Sequence, residues 1–236
     1  MIDITHLYKI YKVGDSKVVA LDDINLHIQE HEFVSIIGPS GSGKSTLMNM
    51  IGCLDVPTSG SYKLDGQEVS KLKDNKLAHI RNCKLGFVFQ RFNLLPSLTS
   101  LENVELPLVY QGVSAKKSRE RAISSLDIVG LKERMHHKPN ELSGAQHQRV
   151  AIARALVTNA PVILAHEPTG ALDSKTGIEV MGILKKLNAA GNTVILITHD
   201  NSLAVQAKRM IRIQDGKIIE DSIINKSAVS DGEMAQ

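Results

Sequence analysis

The sequence has little of several features that mark specialised classes of protein. Its 236 residues contain no tryptophan, 3% aromatic residues and two cysteines. Cys53 and Cys83 form neither a C-x-x-C pair nor a zinc-type Cys/His pattern, so we expect no disulfide framework and no structural metal site. Free cysteines fit a reducing compartment, and we therefore expect a cytoplasmic protein.

Long apolar runs and an excess of one charge are missing as well. No stretch approaches the ~18 consecutive apolar residues that a membrane-spanning helix needs, so at a membrane another chain would have to supply the spanning part. The start, Met1-Ile2-Asp3-Ile4, shows no basic-then-apolar leader, and we expect no secretory signal. The net charge of +3 is too small to indicate nucleic acid, and we expect no such partner. With 42% hydrophobic residues, the chain is long enough for one large core or two modest ones.

One glycine-rich segment carries the strongest chemical signal. Residues 38–46 read Gly-Pro-Ser-Gly-Ser-Gly-Lys-Ser-Thr, between a β-prone apolar run (33–37) and a helical segment (44–51). A strand, a G-x-x-x-x-G-K-[ST] loop and a helix in this order are typical of a nucleotide-phosphate site. The candidate phosphate-binding positions are Gly38, Ser40, Gly41, Ser42, Gly43, Lys44, Ser45 and Thr46.

The spacing in this loop has a direct physical reason. Gly41 and Gly43 let the backbone curl so that successive N–H groups face an anion, and the following helix adds the positive end of its dipole. Lys44 would bridge the outer phosphates, and the Ser45 hydroxyl would bind Mg²⁺. The alternative is a glycine-rich turn with a solvated lysine, which leaves the flanking strand and helix unexplained. The segment predicts binding of a nucleoside triphosphate.

Two further segments end in polar residues that suit a ligand site. Residues 161–165 and 193–197 read as strands buried on both faces. The first leads to His166 and Glu167, and the second leads to Thr198, His199 and Asp200. Helical periodicity over 175–189 lies between them. This alternation predicts an α/β sheet with its ligand at the carboxyl edge of the strands.

The first part of the chain has a different pattern. Residues 2–28 predict half-buried antiparallel strands with a break at Asp22-Asp23. Asp65-Gly66 predicts a hairpin turn, and Asp74 predicts a helix cap. Residues 85–89 predict another buried strand, which ends at Gln90.

Together, these motifs resemble one family, the ATP-binding subunits of ABC transporters. The matching elements follow the family's order: the phosphate loop from Gly38, Gln90 after a strand, Leu142-Ser143-Gly144-Ala145-Gln146, Glu167 after an apolar strand, Gly170-Ala171-Leu172-Asp173 and His199 after a strand. The runs at 52–55, 90–96 and 167–174 resemble the branch of macrolide exporters and lipoprotein-release systems. The joint match is specific, whereas each element alone, except the phosphate loop, is weak.

The resemblance implies a fold and a domain plan. We expect an α/β P-loop NTPase (ABC ATPase) core with a mixed sheet, an N-terminal antiparallel β subdomain and a helical subdomain inserted over about 91–158. A single domain would span 1–223, and 224–236 would be a mobile tail.

The resemblance also implies how ATP is hydrolysed. Glu167 would be the general base on the attacking water, and His199 would bridge that base and the γ-phosphate. Gln90 would touch Mg²⁺ and the water, and would sense a membrane partner. The implied cofactors are ATP and Mg²⁺.

Further roles concern the nucleotide and a second copy of the chain. Tyr11 would stack on adenine; from the residues alone it is an ordinary strand aromatic. In this family two subunits pair head to tail over two nucleotides, and Asp173 would help to organise that interface. Ser143, at a helix start, would donate to the partner's γ-phosphate. The signature positions are Ser143, Gly144, Ala145 and Gln146.

The implied setting is the inner face of the cell membrane, with the chain as a peripheral homodimer bound to a permease. Residues 91–108, rich in Leu and Pro, would receive a helix of that permease. Ordinary loop packing is the alternative for this segment.

The sequence departs from the family at four positions. His166 stands where an aspartate normally orders the Mg²⁺ shell, so we expect weaker Mg²⁺ binding and slower turnover, most of all below about pH 6.5. Ala145 replaces a glycine of the signature, at a cost that depends on the local φ. His147 stands where Gln is common, and His31 where Gly is common. A transition-metal site at His166-Glu167 is the less favoured alternative, because no second His has helical spacing.

Three classes of function remain open from the sequence. The leading one is an ATPase subunit that powers a permease, with hydrolysis impaired by His166 and Ala145. The second is a nucleotide-gated binding or regulatory module with little turnover. The third is an ABC protein acting on DNA or the ribosome, which the small net charge and the single cassette disfavour.

Overall fold

The computed structural model describes residues 1–224, which form two β-sheets and the helices around them. The strands are β1 Ile2–Val13, β2 Ser16–Ile28, β3 Phe33–Ile37, β4 Ser59–Leu64, β5 Gln67–Glu68, β6 Leu85–Phe89, β7 Val162–His166, β8 Thr193–Ile197, β9 Arg209–Gln214 and β10 Lys217–Ile223. The helices are α1 Lys44–Ile51, α2 Asp74–Lys84, α3 Ser100–Tyr110, α4 Ala115–Ile128, α5 Gly144–Leu156, α6 Ser174–Ala189 and α7 Asn201–Ala204. Short 3-10 turns lie at Lys132–Arg134 and Pro139–Glu141.

The larger sheet has six strands in the order β10-β9-β3-β8-β7-β6. Its five strands from β9 to β6 pair in parallel, and β10 joins the edge antiparallel to β9. Strands β3 and β8 are buried along their whole length because helices cover both faces. The carboxyl ends of β3, β7 and β8 therefore lie side by side at one edge.

Alternate residues along the strands of the larger sheet point to opposite faces, and each face has its own hydrophobic core. Ile195 and Ile197 of β8 pack with α1, α2 and the smaller sheet, whereas Val194 and Leu196 pack with α3 to α6. Helices α3 to α5 form the inserted helical region, which lies on the face of the larger sheet that carries Val194 and Leu196. The mixed sheet, the antiparallel N-terminal sheet and the α/β class are as the sequence predicts.

The smaller sheet has the order β2-β1-β4-β5 and antiparallel pairing. The break expected at Asp22-Asp23 is wrong, since β2 runs through it without interruption. Asp23 adopts φ 55, and the β1–β2 register shifts nearby between Leu7 and Lys9. The polar pair thus marks an irregularity inside a long strand, where a bulge turns side chains without ending the pairing.

Two local predictions at turns have different outcomes. Asp65 and Gly66 form the β4–β5 turn with φ 53 and 75, as predicted. Asp74 is the first residue of α2 and not its cap, which is Lys73. Its carboxylate therefore acts on the helix dipole and closes no capping bond.

Ile224, the first residue of the predicted tail, is bound to the rest of the domain. The N–H of Ile224 donates to the Lys208 carbonyl at 2.9 Å, and its side chain packs against the second core. The rest of the predicted tail, 225–236, lies outside the described residues. No helix within residues 1–224 has the length and apolar character needed to cross a bilayer.

Candidate functional site

The phosphate loop joins β3 to α1 and borders a cleft of ≈ 650 Å³. Gly41 and Gly43 adopt φ 79 and 106, the left-handed region that glycine tolerates best. A Cβ at Gly43 would come within 2.7 Å of the Ala20 carbonyl oxygen. The cleft is lined by Gly38, Pro39, Ser40, Gly41, Lys44, Ser45, Gln90, His166, Glu167, His199, Asn201 and Arg212. Structure thus brings the loop and the ends of β6, β7 and β8 to one place.

Lys44 supplies a nearly buried positive charge to the loop. Its Nζ donates to the carbonyl oxygens of Gly38 and Pro39, each at 2.7 Å. Burial lowers the pKa of Lys44, and the charge of Glu167 opposes that shift. The Ser42 hydroxyl is buried without a hydrogen-bond partner among residues 1–224. A cation, curled backbone and an unpartnered hydroxyl are the features that suit the phosphates of a nucleotide.

Glu167 lies at the end of β7 and is held by a network from the end of β8. One carboxylate oxygen accepts from the Thr198 hydroxyl at 2.8 Å. The other accepts from the His199 backbone N–H at 2.8 Å and contacts His199 Nδ1 at 2.6 Å. Glu167 is 8% exposed and adopts φ 45, so surrounding bonds hold it in a conformation that non-glycine residues rarely adopt. The predicted base and the predicted histidine are therefore in direct contact.

His166 lies beside the hydroxyl that would bind Mg²⁺. Its Nε2 is 3.4 Å from Ser45 Oγ. Burial lowers the pKa of His166, Lys44 lowers it further, and Glu167 acts in the opposite direction. The ring is therefore neutral at neutral pH and adds no negative charge.

Oxygen donors for a Mg²⁺ ion are few in this cleft. Ser45 and Gln90 provide a hydroxyl and an amide oxygen, and the phosphates of a nucleotide would provide others, which is the usual way that Mg²⁺ binds in such sites. Within residues 1–224, no three His, Cys, Asp or Glu side chains are grouped to hold a metal by themselves. The donor set fits Mg²⁺ that arrives with its nucleotide.

Gln90 lies between the cleft and the loop after Glu167. A Cβ at Gly170 would come within 2.7 Å of Gln90 Nε2, so the end of the Gln90 side chain lies against Gly170. A movement of Gln90 would therefore change its contact with the loop that follows the predicted base.

Tyr11 lies close to the phosphate loop but outside the cleft lining. Its hydroxyl donates to Asp55 at 3.0 Å, and Lys9 Nζ lies 4.8 Å from the ring centroid. Burial raises the pKa of Tyr11, a hydrogen bond to Asp55 adds to this, and a hydrogen bond with Thr46 opposes it. The adenine role of Tyr11 stays a prediction.

The signature residues are gathered elsewhere in the chain. Ser143 caps α5, accepting from the Gln146 N–H at 3.3 Å while Gln146 Oε1 accepts from the Ser143 N–H at 2.9 Å. A Cβ at Gly144 would lie 3.6 Å from Leu172, next to Asp173, which caps α6 by accepting from the Thr176 N–H at 3.0 Å. In the part of the chain that the structure describes, none of these residues lines the phosphate cleft.

The other departures from the family pattern have a local explanation. Ala145 lies in the first turn of α5 and is not among the residues with positive φ, so its methyl group causes no backbone strain. His31 does adopt φ 63, and its N–H donates to Thr193 Oγ1 at 2.9 Å. His147 contacts the Pro139 carbonyl, and its ring centroid lies 5.3 Å from that of Phe92. None of these three faces the cleft.

Several residues that support the site were missed by sequence reasoning. Asn201 and Arg212 line the cleft, and Arg154 donates to the carbonyl oxygens of Asn93 and Phe92 at 2.6 and 2.8 Å. The sequence places Thr198 at a strand end but indicates no role for it. Its position directly before His199 is the one signal that could have identified it.

Comparison with known sequences adds independent findings. The sequence model of the ABC transporter family matches residues 21–170. The macrolide export ATP-binding/permease protein MacB of Hyphomonas neptunium is 53% identical over 231 residues, which are 98% of this chain and 36% of that protein. An ABC transporter ATP-binding protein of Thermotoga maritima is 51% identical over 92% of this chain and 93% of its own length. The chain therefore spans about a third of the macrolide exporter but nearly all of the second relative.

Comparison with solved structures gives the same result. The ATP-binding cassette MJ0796, in a dimeric structure bound to ADP and Pi, matches with a TM-score of 0.88 and 50% identity. The match covers 95% of this chain and 99% of that one. Since the family model covers more than half of the sequence, and the Thermotoga protein and MJ0796 match along nearly their full length, the chain belongs to the ABC transporter family as one of its ATP-binding, ATP-hydrolysing cassettes, related to those of the macrolide exporters.

Proposed function

We propose that this chain is the motor subunit of a membrane transporter, in which ATP closes two copies head to tail and hydrolysis opens them again. The observation that carries the proposal is the contact of Glu167 with His199 and Thr198 at the edge of the phosphate cleft. This places a held carboxylate beside the loop that binds phosphate, which is the arrangement needed to activate a water. The working location is the cytoplasmic face of a membrane.

Binding of ATP would begin at the phosphate loop. Lys44 would exchange the carbonyl oxygens of Gly38 and Pro39 for outer phosphate oxygens, and the buried Ser42 hydroxyl would gain a partner. Ser45 and Gln90 would hold Mg²⁺, which supplies charge stabilisation for the phosphoryl group when bound. Neutral His166 would accept a hydrogen bond at Nε2 in place of the aspartate of the family pattern.

In the hydrolysis step, Glu167 would orient the water and take up its proton. His199 Nδ1 contacts Glu167, which leaves Nε2 on the other side of the ring free to contact the γ-phosphate. The network thus orients the base before the nucleotide arrives, so little reorganisation is needed at the moment of reaction.

The second copy would complete the site. Ser143 lies at the start of α5, where the helix dipole favours a phosphate, yet it does not line its own chain's cleft. A head-to-tail partner would bring Ser143 and Gly144 to that phosphate, and Asp173 would lie in the same interface. The dimeric structure of MJ0796 supports this assembly.

The permease would dock on the cleft beside α3. A cleft of ≈ 720 Å³ lies between α2, β6 and α3, and Phe87, Phe89, Leu106 and Tyr110 contribute to its walls. Asn93 and Pro107, both within the segment predicted to receive a permease helix, line it as well. Its apolar lining suits a helix of the membrane subunit, and the Hyphomonas relative is an ATP-binding/permease protein.

The proposed turnover is slower than is usual for the family because of His166. A carboxylate at this position would add a negative charge beside Ser45, and the imidazole adds none. Ala145 contributes less to the impairment than the sequence indicated, because its backbone is helical. If His166 stops turnover altogether, the chain is the second candidate, a nucleotide-gated module that closes on ATP and seldom hydrolyses it.

The test is steady-state Mg-ATP hydrolysis by the chain and its His166→Asp variant over a Mg²⁺ titration. The assay would run at about pH 6 and about pH 8, on either side of the usual histidine pKa. We expect the variant to need less Mg²⁺ and to turn over faster, with the larger gain at the lower pH. Identical Mg²⁺ curves would contradict the role given to His166.

Two controls separate the alternatives. Glu167→Gln should abolish turnover in either background while ATP binding persists, because it removes only the base. Co-purification with a membrane protein would favour the transporter over an ABC protein that acts on DNA or the ribosome.

A further inference from the structure

One corner of the helical region combines exposed apolar side chains with a cluster of cations. It is formed by the end of α3 and the start of α4, and we call it the basic corner. Its members are Val109, Tyr110, Lys116, Lys117, Arg119 and Arg121. The site described above uses none of these residues in binding or hydrolysis.

The two apolar side chains are unusually open to solvent. Val109 is 64% exposed and Tyr110 is 78% exposed, although Leu101, Val104 and Leu108 of the same helix pack in the second core. An aliphatic and an aromatic side chain side by side at a helix end are typical of surfaces that meet a partner or a membrane interface.

Two of the cations lie close to Val109. Val109, Lys116 and Arg119 line one shallow cavity together with Glu105. All four cations of the corner are exposed, and none forms an ion pair within residues 1–224. The nearby carboxylates are Glu102, Glu105 and Glu120, and Arg119 acts electrostatically on the first two. Burial raises the pKa of Glu105 and Arg119 opposes the shift, so the corner keeps an excess of positive charge.

The position of the lysines counts against a purely structural role. Lys116 and Lys117 lie in the first turn of α4, which has no acidic residue. Cations at a helix N-terminus oppose the helix dipole and destabilise the helix slightly. The charge is therefore retained at a place where it costs stability, and an anionic partner would explain it.

We propose that the basic corner binds the surface of an anionic bilayer, with the four cations on lipid headgroups and Tyr110 and Val109 at the interface. This inference rests on the proposed function, because Tyr110 also lines the cleft assigned to the permease and so places the corner next to the membrane. Exposed flexible cations next to exposed apolar side chains suit a fluid headgroup layer. An acidic protein surface is the alternative that the test must separate.

The experiment uses the purified chain without any permease, mixed with vesicles of phosphatidylcholine alone or with added phosphatidylglycerol. We expect sedimentation with the anionic vesicles only, and release at ~1 M NaCl because salt screens the charges. Each Lys or Arg near such a surface changes partitioning by about 5-fold. The Lys116→Glu/Lys117→Glu variant should therefore bind at least ~10-fold more weakly.

The controls exclude unfolding and general charge effects. Glu at these positions favours the α4 dipole, so the double variant should be as stable as the parent in thermal unfolding. Lys185→Glu/Lys186→Glu, an equally exposed pair on α6, makes the same change in charge and should leave binding unchanged. Equal losses in both double variants would overturn the assignment to this corner.

A spectroscopic reading tests insertion directly. Because the chain has no tryptophan, Tyr110→Trp places the single tryptophan of the variant in the corner, where it can be excited selectively over tyrosine. Its emission should shift to shorter wavelength with anionic vesicles, and that of Ile219→Trp, on exposed β10, should not. No binding and no shift would overturn the proposal. Unchanged vesicle binding by Lys116→Glu/Lys117→Glu together with lost permease co-purification would replace it with an acidic protein surface. Normal ATP hydrolysis alongside either failure leaves the motor function standing.

Discussion

Thr198 offers a stringent test of how the catalytic edge is held. Its side chain is fully buried, its hydroxyl donates to Glu167 at 2.8 Å, and the same oxygen accepts from the Asp200 N–H at 3.1 Å. Thr198→Val keeps the shape of the side chain and removes both bonds. Glu167 retains its two contacts with His199. Its carboxylate therefore loses one hydrogen bond but is not left without partners.

The magnitude follows from the two bonds. A hydrogen bond to a charged group contributes about 1.5–3 kcal/mol, and a neutral one about 1 kcal/mol. We therefore expect the free energy of unfolding to fall by about 2–4 kcal/mol. In a chain of this size, each kcal/mol lost lowers the Tm by about 2–4 °C, so the Tm should fall by roughly 5–15 °C. The kcat for ATP hydrolysis should fall by about 10-fold, part of the ~10²–10⁴ that a general base supplies.

Chemical denaturation and steady-state ATPase assays measure the two effects. Thr198→Ser is the matched control, because it keeps the hydroxyl and loses one buried methyl group. It should cost about 1 kcal/mol and leave kcat near that of the parent. If Thr198→Val unfolds within about 0.5 kcal/mol of the parent, the hydroxyl does not hold Glu167 as described.

Three further predictions concern His166, Asn103 and Tyr11. Burial lowers the pKa of His166 below its usual value, so the unfolded chain takes up a proton at a higher pH than the folded chain does. The free energy of unfolding should therefore fall as the pH drops below about 6.5. Chemical denaturation should show a smaller fall for His166→Asn. Asn103 is fully buried and bonds the Leu95 and Leu98 backbone, so Asn103→Ala should lower the free energy of unfolding by about 2–4 kcal/mol; an unchanged denaturation midpoint would refute its anchoring role. Tyr11→Ala should weaken ATP binding by about 3–10-fold in calorimetry, whereas Tyr11→Phe should bind as the parent does; equal affinity in all three would exclude stacking.

The sequence could predict those features whose cause is local. The phosphate loop depends on glycines that adopt positive φ and on a strand and helix that flank them directly. The Asp65-Gly66 turn and the Ser143 helix start are likewise set by neighbouring residues. The apolar runs at 161–165 and 193–197 identified β7 and β8 to within a residue. Family resemblance then joined these pieces into one fold.

Features that depend on distant residues were beyond its reach. The continuity of β2 through Asp22-Asp23 comes from a shifted register with β1, which periodicity does not reveal. Thr198 matters because β7 and β8 are neighbours, and Asn103 because the preceding loop folds back on it. The cost of Ala145 depended on a φ value that only the structure provides.

In the proposed mechanism, two copies complete each other's nucleotide sites. Its most direct test is the molar mass in solution of the Glu167→Gln variant with Mg-ATP, with ADP and without nucleotide. We expect a dimer with Mg-ATP but not with ADP or without nucleotide, and a monomer with Mg-ATP once Ser143→Arg places a bulky cation in the signature. A monomer under all conditions, or a dimer that Ser143→Arg leaves intact, would contradict it.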